Sequence, residues 1–238
     1  CTADRDPGAD PRPRQLMSSI QTFEPDPEVE VSSVDGRVRR TTSSESWATI
    51  RGGAGVTAND SAVSMSVEAT ASTTTDEYAL LQRIFTLFDI SAIPTGSVIK
   101  TVDYKLRGSS KVDNLGVSGY VVDSPAPASD TALVAGDYDI GGWVDAAHSN
   151  VLAHATISTS SFNTWTLNAV GIALVQAALD SDGIVKLGLR LLNDLDNSAP
   201  TWSSGGNSSI IVQSAEGANP PQLVVTFAPA ARGTPIYY

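Results

Sequence analysis

The stretch RIFTLFDISAIPTGSVIKTVDYKLR, residues 83–107, decides the fold of this 238-residue chain. Its first eight residues are apolar on both faces of an extended strand, which predicts a central strand that is covered on both sides. Pro94 and Gly96 follow and supply the residues of a tight turn. The residues after the turn alternate between apolar and polar. We expect their inward face to hold Val98, Val102, Tyr104 and Leu106, with Lys100 as the exception.

Alternation with a period of two predicts three more core strands outside this stretch: SAVSMSVEAT (61–70), GIVKLGLRLL (183–192) and PQLVVTF (221–227). We expect weaker strands near residues 38–40, 47–50, 117–122, 164–167 and 209–213. One short helix is predicted, because Asn168 can cap the segment AVGIALVQAAL and the sequence DSDG at 180–183 ends it.

These elements predict an all-β fold, a jelly-roll-like antiparallel β-sandwich with one short helix. We place the sandwich domain at residues 35–227. Residues 1–34 differ in composition, with five prolines among acidic residues and arginines, and are expected to form an extended N-terminal arm. Residues 228–238 form a C-terminal tail that ends in two tyrosines.

The net charge, the hydropathy and the cysteine content limit which partners and attachments we expect. The formal net charge of −11 disfavours nucleic acid, because the chain would repel phosphates. No apolar run approaches the length that a membrane-spanning helix needs. Cys1 is the only cysteine and is either the lipidated first residue of a lipoprotein or part of a read-through start upstream of Met17, the interpretation that we favour.

Three motifs resemble those of a known family. They are residues 83–106, the set Trp165, Leu167, Asn168 and Gly171, and the closing segment 220–227. Together they are similar to the DNRLRE, or disaggregatase-related, modules. That resemblance implies a jelly roll attached to microbial surface or secreted proteins and regarded as carbohydrate-binding-like. Residues 32–55 also resemble uncharacterised structural proteins of tailed phages. The matching positions are mostly apolar and turn residues, so they indicate fold more than function.

We expect no enzymatic activity. The two histidines, His148 and His154, are expected in surface loops, and no nucleophile elbow, zinc-protease helix or phosphate-binding loop is present. Three carboxylate pairs leave glycoside hydrolysis open as a minor alternative. They are Asp137 with Asp139, Asp180 with Asp182, and Asp194 with Asp196, all in turn-like sequence where Asp commonly caps backbone amides.

Two kinds of binding site are candidates. Asp194 and Asp196 are oxygen ligands that could hold a structural calcium ion, although no other cofactor is expected. Trp143, with Tyr138 and Asp139 beside it, and Trp202 are candidates for stacking on a sugar, because we expect them in loops. Trp47 and Trp165 are expected to fill the core.

The leading functional hypothesis is a non-enzymatic virion structural module of a phage-like virus, such as a decoration, fibre or tail-associated protein. We expect a homo-oligomer, for which a trimer is one arrangement, with other virion or surface subunits as partners. The alternative is a carbohydrate-binding module of a secreted or cell-surface protein. Both hypotheses place the chain in a virion or outside the cell.

Overall fold

Within residues 18–230, twelve antiparallel strands curl into two facing layers, which confirms the prediction of an all-β sandwich. A computed structural model of the chain describes residues 18–230. Cys1, the first half of the predicted arm and the aromatic end of the tail therefore lie outside the described residues.

The strands are β1 (Ser19–Phe23), β2 (Asp35–Ser46), β3 (Thr57–Asn59), β4 (Ser64–Ala71), β5 (Glu77–Asp89), β6 (Val98–Asp113), β7 (Gly119–Asp123), β8 (Leu152–Ala153), β9 (Phe162–Thr166), β10 (Ile184–Leu191), β11 (Asn207–Gln213) and β12 (Gln222–Ala228). The helices are α1 (Trp47–Gly52), α2 (Ala169–Leu179) and α3 (Leu192–Leu195). Short 3-10 turns lie at Ala135–Tyr138, Ile140–Gly142 and His154–Thr156.

Two long strands carry the sheet from one layer to the other. The strand order is β1-β12-β6-β11-β4-β5-β10-β7-β8, with β9 on the other edge of β6 and the β2–β3 hairpin on the other edge of β5. The first half of β6 pairs with β12 and its second half with β11. Similarly, β5 pairs first with β4 and then with β10.

The core lies where β5 faces β6. The Thr86 hydroxyl donates to the Tyr104 hydroxyl across this space at 2.8 Å, and the Phe88 and Tyr104 rings meet edge to face. Residues 84–90, which form the end of β5 and the residue after it, are all buried except Asp89. Both faces of this strand are therefore covered, as predicted for the central strand. The apolar side chains at alternate positions of the predicted strand 183–192 are fully buried in β10 as well: Val185, Leu187, Leu189 and Leu191.

A β-bulge corrects one prediction in β6. Thr226 pairs with Thr101 and Phe227 with Ile99, so Lys100 is the extra residue. An extra residue reverses the alternation on its N-terminal side. Ile99 is therefore buried, and Val98, which we expected to face inward, is half exposed.

The predicted helix is confirmed as α2, and the Asn168 side chain accepts hydrogen bonds from the amides of Val170 and Gly171. Residues 47–50, predicted as a strand, are helical instead, because the Ser46 side chain caps α1. In residues 18–230 no helix combines the length and the apolar character needed to cross a bilayer.

Candidate functional site

The loop between β7 and β8, residues 124–151, carries three of the four predicted sugar-binding residues. Tyr138, Asp139 and Trp143 lie together in its two 3-10 turns and just after them. Trp202 lies elsewhere, between α3 and β11, where it packs partly buried against the core. The structure therefore brings together the first three residues without the fourth.

Short-range hydrogen bonds shape this loop. The Asp137 carboxylate accepts from the amides of Ala128 and Val134 at 2.8 Å each, and Asp139 accepts from the amide of Gly141. The segments around residues 125 and 143 then pair like two strands, with the Ala126 amide donating to the Gly142 carbonyl at 2.7 Å. The first carboxylate pair thus serves to cap backbone amides.

Trp143 faces the sandwich rather than solvent. Its ring meets Phe85 edge to face at 4.9 Å and leaves only 6% of the residue exposed. Gly188 of β10 makes the space, because a Cβ at that position would lie 2.5 Å from Cη2 of the Trp143 ring. Tyr138 is fully buried, and its hydroxyl donates to the Ile50 carbonyl. Neither ring presents an open face on which a sugar could stack.

Two buried arginines lie beneath these rings. The Arg83 guanidinium stacks on Tyr138, with Cζ 4.2 Å from the ring centroid, and Arg190 lies 5.3 Å from the Trp143 centroid. Both arginines are fully buried on β5 and β10. Buried cations need compensating charge and hydrogen bonds to be stable.

Three aspartates supply that compensation. Asp194 accepts from Nε of both Arg83 and Arg190, at 2.7 and 3.0 Å. Asp123 and Asp145 accept from the Nη1 atom of Arg190, at 2.6 and 3.0 Å. Arg51 of α1 completes the set by donating to Asp145 at 2.7 Å and contacting Asp194 at 3.4 Å. We call these six residues the ion network; its three positive and three negative charges balance.

The ion network uses all the acceptor capacity of Asp194. Four guanidinium N–H groups, two from each of Arg83 and Arg190, reach its two oxygens between 2.7 and 3.0 Å. Burial alone would raise the pKa of Asp194, but the charges of the two arginines outweigh burial and hold the pKa well below its ordinary value. Asp194 therefore keeps no lone pair for a cation, and Asp196, its predicted partner in a calcium site, is exposed.

Residues 18–230 contain no group of three or more histidine, cysteine, aspartate or glutamate side chains arranged to hold a metal ion.

The positions of the two histidines differ from the prediction. His148 and His154 are buried rather than in surface loops. His148 lies 3.4 Å from Asp123, and the ring of His154 bonds the Tyr120 hydroxyl at 2.8 Å.

Another fully buried carboxylate lies apart from the ion network. Asp35, the first residue of β2, is fully buried and accepts only from the Ala215 amide. Burial and then the nearby charge of Glu216 raise its pKa to about 8, and Glu30 and Asp60 add to the effect. The folded structure therefore favours the protonated form of Asp35 more than an exposed aspartate would.

A groove borders the loop on its outer side. Ser124, Pro125 and Ala126 form the floor shared by two adjoining pockets of about 240 and 310 Å³. One pocket is closed by residues 141–144, and the other by the end of α2 and the start of β10. The rim of the second pocket carries Asp182 and Lys186.

The residues that organise this site are not among those predicted from the sequence. Arg83 and Arg190 each interrupt an otherwise apolar strand, which is a usable signal because arginine is rarely buried without a partner. Gly188 inside a strand is a second signal, since such a glycine often marks close approach of another group. Asp123 and Asp145 carry no comparable signal.

No family model and no curated protein matches this chain. The assignment of function therefore depends on the geometry described above.

Proposed function

We propose that this chain is a non-enzymatic structural subunit that assembles through its N-terminal segment, residues 18–34. One observation carries the proposal. Val29 and Val31 are the most exposed large apolar residues in the described part of the chain, at 79% and 83%, and both lie in a fixed loop of this segment. Exposed apolar side chains on a fixed loop are suited to contact with another protein.

The loop is held mainly by one carboxylate, that of Asp26, and Glu216 also accepts from the Glu28 amide at 3.1 Å. Asp26 Oδ2 accepts from the amides of Val31, Ser32 and Ser33, between 2.6 and 3.2 Å. On its N-terminal side the segment forms β1, which adds to the sheet edge beside β12 over five residue pairs. The two valines are thus displayed by a scaffold and do not fold back onto the body.

The ion network supports the non-enzymatic part of the proposal. Its carboxylates and guanidiniums neutralise one another, and two of its three aspartates and two of its three arginines are fully buried. Groups arranged in this way fix β5, β10, α1 and α3 to each other. The arrangement serves to hold one end of the sandwich together, as expected of a structural role.

On the basis of the resemblance of residues 32–55 to structural proteins of tailed phages, we propose a virion as the setting of this assembly. In that setting the chain is a decoration, fibre or tail-associated protein and forms a homo-oligomer. The genes beside its own in the source genome test this placement. We expect genes for capsid, portal or tail proteins, whereas a neighbourhood of export and cell-wall genes would contradict it.

Assembly itself is tested by measuring the mass of the full chain in solution. We expect a mass that is a multiple of the 24.8 kDa chain at about 100 µM, in the range expected of a micromolar or tighter interface. The double variant Val29→Ser, Val31→Ser should shift this mass towards the monomer. Val63→Ser, Val98→Ser is the matched control, because both residues are exposed valines outside the segment. A monomeric parent chain at this concentration, or equal dissociation of both variants, refutes the proposal.

The groove along residues 124–126 favours glycan binding as a second candidate function. It is concave, partly apolar and bordered by charged side chains, which suits a saccharide chain better than the buried Trp143 ring does. A glycan array tests this function with the parent chain and with Ala177→Trp, which fills the wider pocket. Binding that the substitution abolishes supports the candidate, and a flat array for the parent chain removes it.

A further inference from the structure

A pocket on the β2–β3 hairpin is lined by two arginines. It has a volume of about 230 Å³ and is lined by Arg37, Arg39, Thr57, Ala58 and Asn59. Arg37 pairs with Asn59, and Arg39 pairs with Thr57. Because residues two apart on a strand point to the same face, both arginines project to one side of the hairpin.

Four other arginines of the sandwich body form ion pairs with carboxylates of the same body, which neutralise their charge. Arg51, Arg83 and Arg190 belong to the ion network, and Arg40 pairs with Glu45 at 2.5 Å. Among residues 18–230, by contrast, no carboxylate lies within 4 Å of the guanidinium of Arg37 or Arg39. The pocket therefore concentrates two positive charges on a chain whose net charge is −11.

The surroundings of Arg37 leave its charge undercompensated. Burial and then the charge of Arg39 lower the pKa of Arg37, and Glu68 offsets only part of this effect. Two partly desolvated like charges repel each other, so an anion between them would be bound with a gain in free energy.

A hydroxyl completes the donor set. Arg39 Nε donates to Thr57 Oγ1 at 2.8 Å, so the oxygen of this hydroxyl is already an acceptor. Its own hydrogen is left to donate into the pocket. Two guanidinium forks and one O–H group match the oxygens of a carboxylate, sulfate or phosphate, for which arginine is the usual ligand.

We propose that the β2–β3 pocket binds a small oxyanion between Arg37 and Arg39, with Thr57 as a third donor. The volume admits a ligand of about the size of one monosaccharide or smaller, below the range of drug-sized sites. The oxyanion is either a free ion or a charged group on a larger molecule, and the recognition chemistry is the same in both cases. The lining of this pocket includes neither Val29 nor Val31, so the proposal does not rest on assembly through them.

Isothermal titration of the full chain with phosphate, sulfate and acetate tests the proposal. Ionic strength is held at about 0.15 M with sodium chloride, so that general screening is constant. We expect saturable binding of at least one oxyanion, and the comparison separates tetrahedral from planar ligands. Arg37→Gln should weaken that binding about tenfold or more, as loss of a charged hydrogen-bonding partner implies. Thr57→Val should weaken it by a smaller factor.

Arg107→Gln is the matched control, since it removes the same charge from β6, outside the pocket. If Arg37→Gln and Arg107→Gln weaken binding equally, only net charge matters and the proposal is wrong. It is also wrong if none of the three ions shows saturable binding to the parent chain. Arg39→Gln provides an independent variant should Arg37→Gln lower the thermal midpoint of the protein.

Discussion

Substitution of Asp194 by Asn probes the ion network most directly. The side chain keeps its size, but the carboxylate that collects four guanidinium N–H groups becomes an amide. Only one oxygen then remains as an acceptor, and the new NH₂ group faces the N–H groups of Arg83 and Arg190. The buried network changes from balanced to an excess of one positive charge.

Removing one partner of a buried ion pair costs about 3–5 kcal/mol, since the remaining charge stays buried and uncompensated. The effect belongs in this range because Asp194 is fully buried and shared by two fully buried arginines. For a domain of this size each kcal/mol lowers the thermal midpoint by about 2–4 °C. We therefore expect a midpoint about 6–20 °C lower in Asp194→Asn.

Urea unfolding followed by circular dichroism measures this difference, with Asp196→Asn as the control. Asp196 lies two residues away, is exposed and loses the same charge, so its substitution should change stability by less than about 0.5 kcal/mol. The pKa of Asp194 is lowered in the folded state. Its contribution to the free energy of unfolding should therefore be constant above about pH 5 and fall as the pH drops below about 4, the pKa of an aspartate in the unfolded chain. If the two variants differ by less than about 1 kcal/mol at pH 7, the reasoning about the ion network is wrong.

Three further changes test other parts of the structure. Because the pKa of Asp35 is raised in the folded state, the parent chain should lose stability as the pH rises from about 4 to 8. In urea unfolding, Asp35→Asn should be about as stable as the parent chain at pH 4 and more stable than it at pH 9. A stability difference between the two that does not change with pH would contradict this. Gly188→Ala should cost about 1–3 kcal/mol through its clash with Trp143, whereas Gly136→Ala, which has open space around its Cβ position, should cost less; thermal melts compare the two. Asp26→Ala should raise the dissociation constant of the assembly in sedimentation equilibrium, and an unchanged constant would show that the loop is not preformed.

The sandwich could be predicted because alternation depends on local sequence. The inward faces of β10 and β12 and the two-sided burial of β5 follow from which residues are apolar. The bulge in β6 left only an indirect trace, the position of Lys100 on an expected inward face. A pattern of period two registers such an exception but does not say which neighbouring residue turns inward.

The ion network as a whole could not be predicted, because most of its pairs join residues that are far apart in the sequence, although Arg190 and Asp194 are only four residues apart. Arg83 and Asp194 are separated by 111 residues, and Arg190 and Asp123 by 67. The same distance in sequence explains the interpretation of Trp143 as a loop aromatic. It does lie in a loop, but the loop folds over β10 at Gly188, and only the structure reveals that contact.

In both the N-terminal loop and the ion network, one carboxylate accepts hydrogen bonds from several donors. This carboxylate is Asp26 in the loop and Asp194 in the network. In the ion network the donors are guanidiniums, and the result is an interior that cannot shift without exposing unpaired charge. At Asp26 the donors are three backbone amides, and the loop is ordered before any partner arrives. Association of an already ordered segment avoids the entropy cost of ordering it at the moment of binding. On a flexible tail, Val29 and Val31 would form only a small interface. On a preformed loop that continues into the edge strand β1, they can anchor a larger interface, to which β1 adds the neighbouring surface.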